Sequence, residues 1–255
     1  VIPVGEAGPA IWIDAAPHQD VAILVVQGML DSSTYRTVRD TVIKAALDEP
    51  RAVIVDVNRL SAPSTSAWSV FTSARWHVSV WPDVPIQLVC ANSQTRRVIA
   101  AVGVTRYVPV HPTRESALDA VRGQSPPVRR RASTELPVTR IGVGLARARI
   151  SDWLTGWGQR DLIPVAATVA TVFVENVLDH TESAPVLIVE SYRDTVTVAV
   201  EDCSDRLPGR HEDSQRGAEV VSGLAIVSAL CRAWGAIPSS SGKTVWGLIG
   251  RENRL

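Results

Sequence analysis

Four polar features in the second half of the chain have the types and order that a nucleotide would use. Asn176 and His180 lie four residues apart, one turn along the same face of a helix. An Asn carboxamide oxygen there can serve as a hard ligand for nucleotide-bound Mg²⁺, which prefers oxygen donors; the pair equally suits an ordinary polar helix end. Asp202 follows the apolar run 196–200 and opens a loop, where a carboxylate can accept the exocyclic amine of adenine or simply end a strand. Ser222 and Gly223 begin a helix; the glycine lets backbone approach a ligand, and the free N–H groups of a helix start attract phosphate. Last comes Gly242-Lys243-Thr244-Val245-Trp246. In the first half, Ser64, Thr65 and Ser66 stand at the start of a helical pattern, where hydroxyl side chains commonly cap.

Two layouts of secondary structure must position these residues. Strand-length apolar runs at 21–26, 51–57 and 85–90, with an earlier one at 10–13, alternate with helical patterns at 32–47, 65–80, 94–102 and 113–121. That alternation predicts an α/β domain with a mostly parallel sheet. Asp31, Ser64 or Thr65, and Pro112-Thr113 sit where helix starts want a cap or a first-turn proline. Residues 124–134, with Pro126, Pro127 and the triplet Arg129 to Arg131, read as a solvated linker. Beyond it, helices at 138–157 and 162–178 precede strands at 186–191 and 196–201, whose separator 192–195 suggests a hairpin. A polar stretch at 203–219, a helix at 223–234 and strands at 237–240 and 244–249 complete an α+β domain. The predicted division is 1–123, linker 124–134, and 135–255.

Composition narrows the function classes. The chain of 255 residues is 45% hydrophobic and 20% charged with no net charge, a composition that collapses rather than stays disordered. Residues 1–124 carry 11 acidic and 11 basic groups and 135–255 carry 15 and 12, so neither half offers the dense basic face that nucleic acid requires. The near-apolar run 162–174 contains Pro164 and is shorter than the roughly 18 residues of a membrane span. The first 30 residues lack Lys and Arg, unlike a secretory signal, and a cytoplasmic protein is expected. Cys90, Cys203 and Cys231 form no C-x-x-C pair and read as small apolar fillers. The Trp residues at 68, 76, 153 and 157 have helical spacing and are expected in cores or interfaces, whereas Trp81, beside Pro82, is expected at the surface.

Taken in order, Asn176 with His180, Asp202, Gly223 with Leu224, Ala233-Trp234-Gly235 and 242–246 make the second domain resemble the histidine-kinase-like ATPase domain of anti-sigma-factor serine kinases, in its actinobacterial form. The resemblance covers about 135–255. It implies ATP and Mg²⁺ as cofactors, with Asn176 on Mg²⁺, Asp202 on adenine, Gly223 and its helix start on phosphate, and Thr244 near adenine. It also marks departures. The glutamate that active members place four residues before the Asn is Val172; Glu175 lies about 100° around the helix from Asn176. Ser204 and Arg206 replace family glycines, and Val221 and Ser222 replace a Gly and an Arg before Gly223.

In the first domain, Gly28-x-x-Asp31 before a helix, the buried strand ending Val55-Asp56 and the helix at Thr65 resemble a sulfate-transporter and anti-sigma-antagonist (STAS) domain over about 10–122. Antagonists of that family carry Asp-Ser-Ser-Gly at the second helix, and Ser64, Thr65, Ser66 and Ala67 occupy those places here. The resemblance puts Thr65 at the phospho-acceptor position, with Ser64 and Ser66 as the alternatives a one-residue shift would select; plain helix capping is the competing role.

Together the resemblances imply a fused regulator that acts on sigma factors by partner switching. Its partners would be a sigma factor, an anti-sigma factor or an antagonist, with a homodimer implied and no direct nucleic-acid or membrane partner. Binding without turnover is the first expectation. A working serine/threonine kinase modifying Thr65 in cis, or an antagonist in trans, is the second and needs Glu175 or Asp179 as substitute base. A purely structural ATPase-like module is the third.

Overall fold

The computed structural model describes residues 11–123, 129–204, 223–238 and 242–253. It divides into two compact units, Val1–Pro126 and Pro127–Leu255.

In the first unit, five strands run in the order β1 (Ile11–His18), β2 (Val21–Met29), β3 (Ala52–Ser61), β4 (Ile86–Val89), β5 (Val110–His111). Only β1 is antiparallel to its neighbour. The start of β3, Ala52 to Val55, is buried throughout, as a central parallel strand covered on both faces must be. Successive parallel strands step in one direction, and right-handed crossovers then put α1 (Tyr35–Leu47), α2 (Ser69–His77) and α3 (Ser93–Ala101) on one face. The other face is left to α4 (Arg114–Arg122), whose Ala117 and Val121 pack on Val21, Ile23, Ala52, Ile54 and Val89.

Local chemistry moves several predicted boundaries. Asp31 Oδ1 accepts from the amides of Ser33 and Thr34, so residues 31–34 form a turn and α1 begins only at Tyr35. One turn of 3₁₀ helix, Thr65–Trp68, precedes α2. The strand expected at 10–13 runs on to His18; its outer residues are exposed on an edge, which hid the alternation. Trp81 is buried, at 2% exposure, where a surface position was expected, and Trp76 is exposed with its ring 5.8 Å from that of Tyr107.

The second unit is a fully antiparallel sheet in the order β6 (Arg129–Glu135), β7 (Val186–Tyr192), β8 (Thr195–Asp202), β10 (Lys243–Gly250), β9 (Ala233–Pro238). Three helices, α5 (Arg140–Gly156), α6 (Ile163–His180) and α7 (Gly223–Leu230), share one apolar core with it.

The arginine triplet expected in a linker is therefore the edge strand β6. Arg129 is bound into the sheet, its guanidinium 2.8 Å from buried Glu190 and 4.4 Å over the Tyr192 ring. Arg130 donates to the Trp157 carbonyl. The helix expected to reach Trp234 stops at Leu230, because the Arg232 amide bonds to Leu248 O and draws the chain into β9. Trp234 then lies on β9, its indole N–H bonded to Ser228 Oγ. With the turn before it, α6 is long and apolar enough by length and composition to cross a membrane, more than the 13-residue run suggested. Its Val165, Ala166, Val169, Ala170 and Val174 are fully buried in the unit, as in a core helix.

Candidate functional site

In the first unit the candidate residues gather at the end of the sheet where the parallel strands finish. Gly28, at φ 118°, gives its carbonyl to Ser61 Oγ, and Leu30 N bonds to Ser61 O, which joins the ends of β2 and β3. Hydrogen bonds from the Ser33 side chain and backbone hold the Asp31 carboxyl below its usual range. Asp56 accepts from Asn58 N and Nδ2 and pairs with Arg114 at 3.4 Å, while Asn58 Oδ1 receives the Ala91 amide. Asp56 thus ties together the loops around the site.

On that frame Ser64, Thr65 and Ser66 are all exposed. Ser64 is extended and makes no side-chain cap; its hydroxyl bonds instead to the Ser66 hydroxyl at 2.8 Å. Simple capping therefore does not describe these residues. Among the three, Thr65 alone has a hydroxyl with no hydrogen bond among the described residues. Tyr35 OH lies 3.5 Å from Ser69 Oγ one turn on, so the starts of α1 and α2 form one exposed surface with Thr65.

The second unit arranges its candidates differently. Asp202 ends β8 and is 3% exposed; its Oδ1 takes Lys243 Nζ at 2.9 Å and the Ser204 amide at 2.7 Å. Asn176 is half-buried on α6, one turn past buried Val172. Val172 faces α7: a Cβ added to Gly223 would lie 2.8 Å from Val172 Cγ1. Val172, Asn176 and Gly223 are thereby brought to one helix junction.

Thr244 is not part of that grouping. It pairs with Glu201, one step out of phase with the Asp202–Lys243 pair, and so points to the opposite face of the sheet. Glu175 and Asp179 both engage Arg140 of α5, at 3.4 and 3.3 Å. His180 is exposed. Arg206, Val221 and Ser222 lie outside the described residues. Of the cysteines, Cys203 is exposed, contrary to a filler role; Cys90 and Cys231 are buried, and burial pushes the Cys231 thiol up to about 12.

Sequence reasoning assigned no role to Lys243, the residue that reaches Asp202. Its signal was the preceding Gly242, where a Cβ would lie 2.1 Å from the Asp202 carbonyl oxygen. Only a glycine lets β10 start this close to the end of β8.

Comparison with known proteins places the first unit. The STAS domain matches residues 13–117. The anti-sigma-F factor antagonist RsfA of Mycobacterium tuberculosis is 32% identical over 106 residues, spanning 40% of this chain and 82% of that protein. RsfB of the same organism, also an anti-sigma-F factor antagonist, is 24% identical over 118 residues, 46% of this chain and 95% of its own. A solved anti-sigma factor antagonist from Mycobacterium paratuberculosis is similar at 23% identity and a TM-score of 0.40, over 46% of this chain and 97% of that one. Through residues 13–117 the chain belongs to the STAS-domain family that includes these anti-sigma-factor antagonists.

Proposed function

We propose that the chain regulates sigma-factor activity by partner switching. Its first unit docks an anti-sigma factor through the surface around Thr65, and phosphate on Thr65 releases that partner. The observation that carries the reading is the Thr65 hydroxyl, exposed and unbonded among the described residues in the 3₁₀ turn before α2, while its two neighbours bond each other. Phosphorylation there adds nearly two negative charges to the docking face. The second unit is read as the ATPase-like, anti-sigma-factor-like partner domain, working by protein binding with a degenerate nucleotide site. Val172 at the position of the base, and Arg140 on both Glu175 and Asp179, support binding over phosphotransfer.

The test is titration of the full chain with the anti-sigma-F factor for which the mycobacterial relatives are named. Thr65→Val should bind as the parent does, and Thr65→Glu should bind at least about tenfold more weakly, about 1.4 kcal/mol. Equal affinity of parent and Thr65→Glu would sink the reading. Intact mass after incubation with MgATP should show no added phosphate.

A further inference from the structure

We infer that Lys243 is a built-in occupant of the carboxylate that would otherwise read a nucleotide base, so that the second unit binds its protein partner independently of ATP. The inference rests on the reading of that unit as ATPase-like and sharpens what its degenerate site does.

Cross-strand geometry sets the contact. Lys243 stands directly opposite Asp202 in the β8–β10 ladder, and residues directly opposite share a face. Two residues along, Val200 and Val245 belong to the core that the helices cover. Asp202 and Lys243 therefore face the helix side, the side of Val172, Asn176 and Gly223. Both are buried, at 3% and 7% exposure.

Hydrogen bonding then occupies one oxygen of the carboxylate. Asp202 Oδ1 receives Lys243 Nζ and the Ser204 amide, and Nζ also reaches the Ser204 carbonyl at 3.4 Å. An adenine offers this carboxylate only a neutral amine. To bind at Oδ1, it would have to displace an ammonium from a buried acceptor and leave that cation without its counter-charge. At the other end of the site, Val172 Cγ1 fills the space beside Gly223, the residue whose helix start would meet phosphate. A charged group supplied by the chain itself thus takes one oxygen of the carboxylate at the base position.

The consequence concerns regulation. A unit closed in this way does not follow the ratio of ATP to ADP, so any phosphate on Thr65 comes from a separate kinase, which transfers the γ-phosphoryl group of its ATP to the Thr65 hydroxyl and releases ADP and a proton.

Calorimetric titration of the full chain with MgATP, and separately MgADP, tests this. The parent protein should give no binding heat at about 1 mM nucleotide. Lys243→Met, uncharged and of similar length, should bind both, and Lys243→Arg should stay silent. Should the unpaired Asp202 unfold Lys243→Met, the double variant Lys243→Met with Asp202→Asn has no buried charge, keeps an acceptor oxygen and should bind. Parent protein that binds MgATP tighter than about 0.1 mM, with the binding lost in Asp202→Asn, would overturn the proposal, as would a folded Lys243→Met or double variant that stays silent. None of these outcomes alters the Thr65→Glu titration, so failure of the closed site and failure of partner switching are read separately.

Discussion

Thr65, at the start of the 3₁₀ turn after β3, and Asp202, at the end of β8, are both polar side chains, and their surroundings are opposite. Thr65 is exposed and its hydroxyl is free among the described residues, although Ser64 and Ser66 beside it bond each other. Asp202 is buried, and its Oδ1 is taken by Lys243 and Ser204. A free exposed hydroxyl can be modified without breaking anything, whereas a buried, ion-paired carboxylate is part of the fold. On the proposed reading, the difference separates a unit that takes a signal from a unit that presents a fixed surface.

The contrast breaks most directly at Lys243. Lys243→Ala leaves a buried carboxylate uncompensated and should cost the second unit about 3–5 kcal/mol, read as a lowered denaturation midpoint with loss of amide protection in β8 and β10. A loss below about 1 kcal/mol would show that the pair is solvent-screened and the site open. Next in size is Gly223→Ala. The new methyl meets Val172 Cγ1 at 2.8 Å and should destabilise by about 1–3 kcal/mol. Pairing it with Val172→Ala should recover at least about 0.5 kcal/mol of that loss, because the two side chains compete for one space. Additive losses would place the crowding elsewhere.

A buried polar atom in the first unit sharpens the comparison from the other side. Among the described residues His111 Nε2 is buried without a partner, and burial lowers the imidazole pKa. The folded unit therefore prefers neutral His111. Above the unfolded value of about 6.5 this group adds no pH dependence, and as the pH falls below it the unfolded chain takes up the proton first and stability declines. His111→Asn should flatten the stability profile of the first unit below about pH 6.5, measured by thermal melts across a pH series. An unchanged slope would mean that the imidazole is solvated.

How far these features could be read beforehand follows from their range in sequence. The parallel order of the first sheet was legible because buried runs such as Ala52 to Val55 announce a central strand on their own. Thr65 was legible by counting from Asp56, but its free hydroxyl was not, since that depends on the Ser64–Ser66 bond. The arginines of β6 looked like a linker because their partners, Glu190 and Tyr192, lie some sixty residues away. Lys243 escaped for the same reason: its meaning comes from Asp202, 41 residues earlier, through a ladder register that no local pattern encodes. Thr244 was chosen in its place one residue along, and in a strand one residue is the difference between the two faces.

The smallest predicted effect carries the most about function. Thr65→Val removes a hydroxyl that bonds to nothing among the described residues and leaves a side chain of nearly the same shape in an exposed position. Its stability cost should stay within about 0.5 kcal/mol, the range of ordinary surface substitutions. Phosphorylation by an added antagonist kinase should nevertheless be lost, as followed by intact mass. A larger stability loss would make Thr65 a helix-start residue of structural importance, and retained phosphorylation would move the acceptor to Ser64 or Ser66. If the hydroxyl is dispensable for folding and required for modification, the first unit keeps it for the signal alone, the reverse of the bond that fixes Asp202.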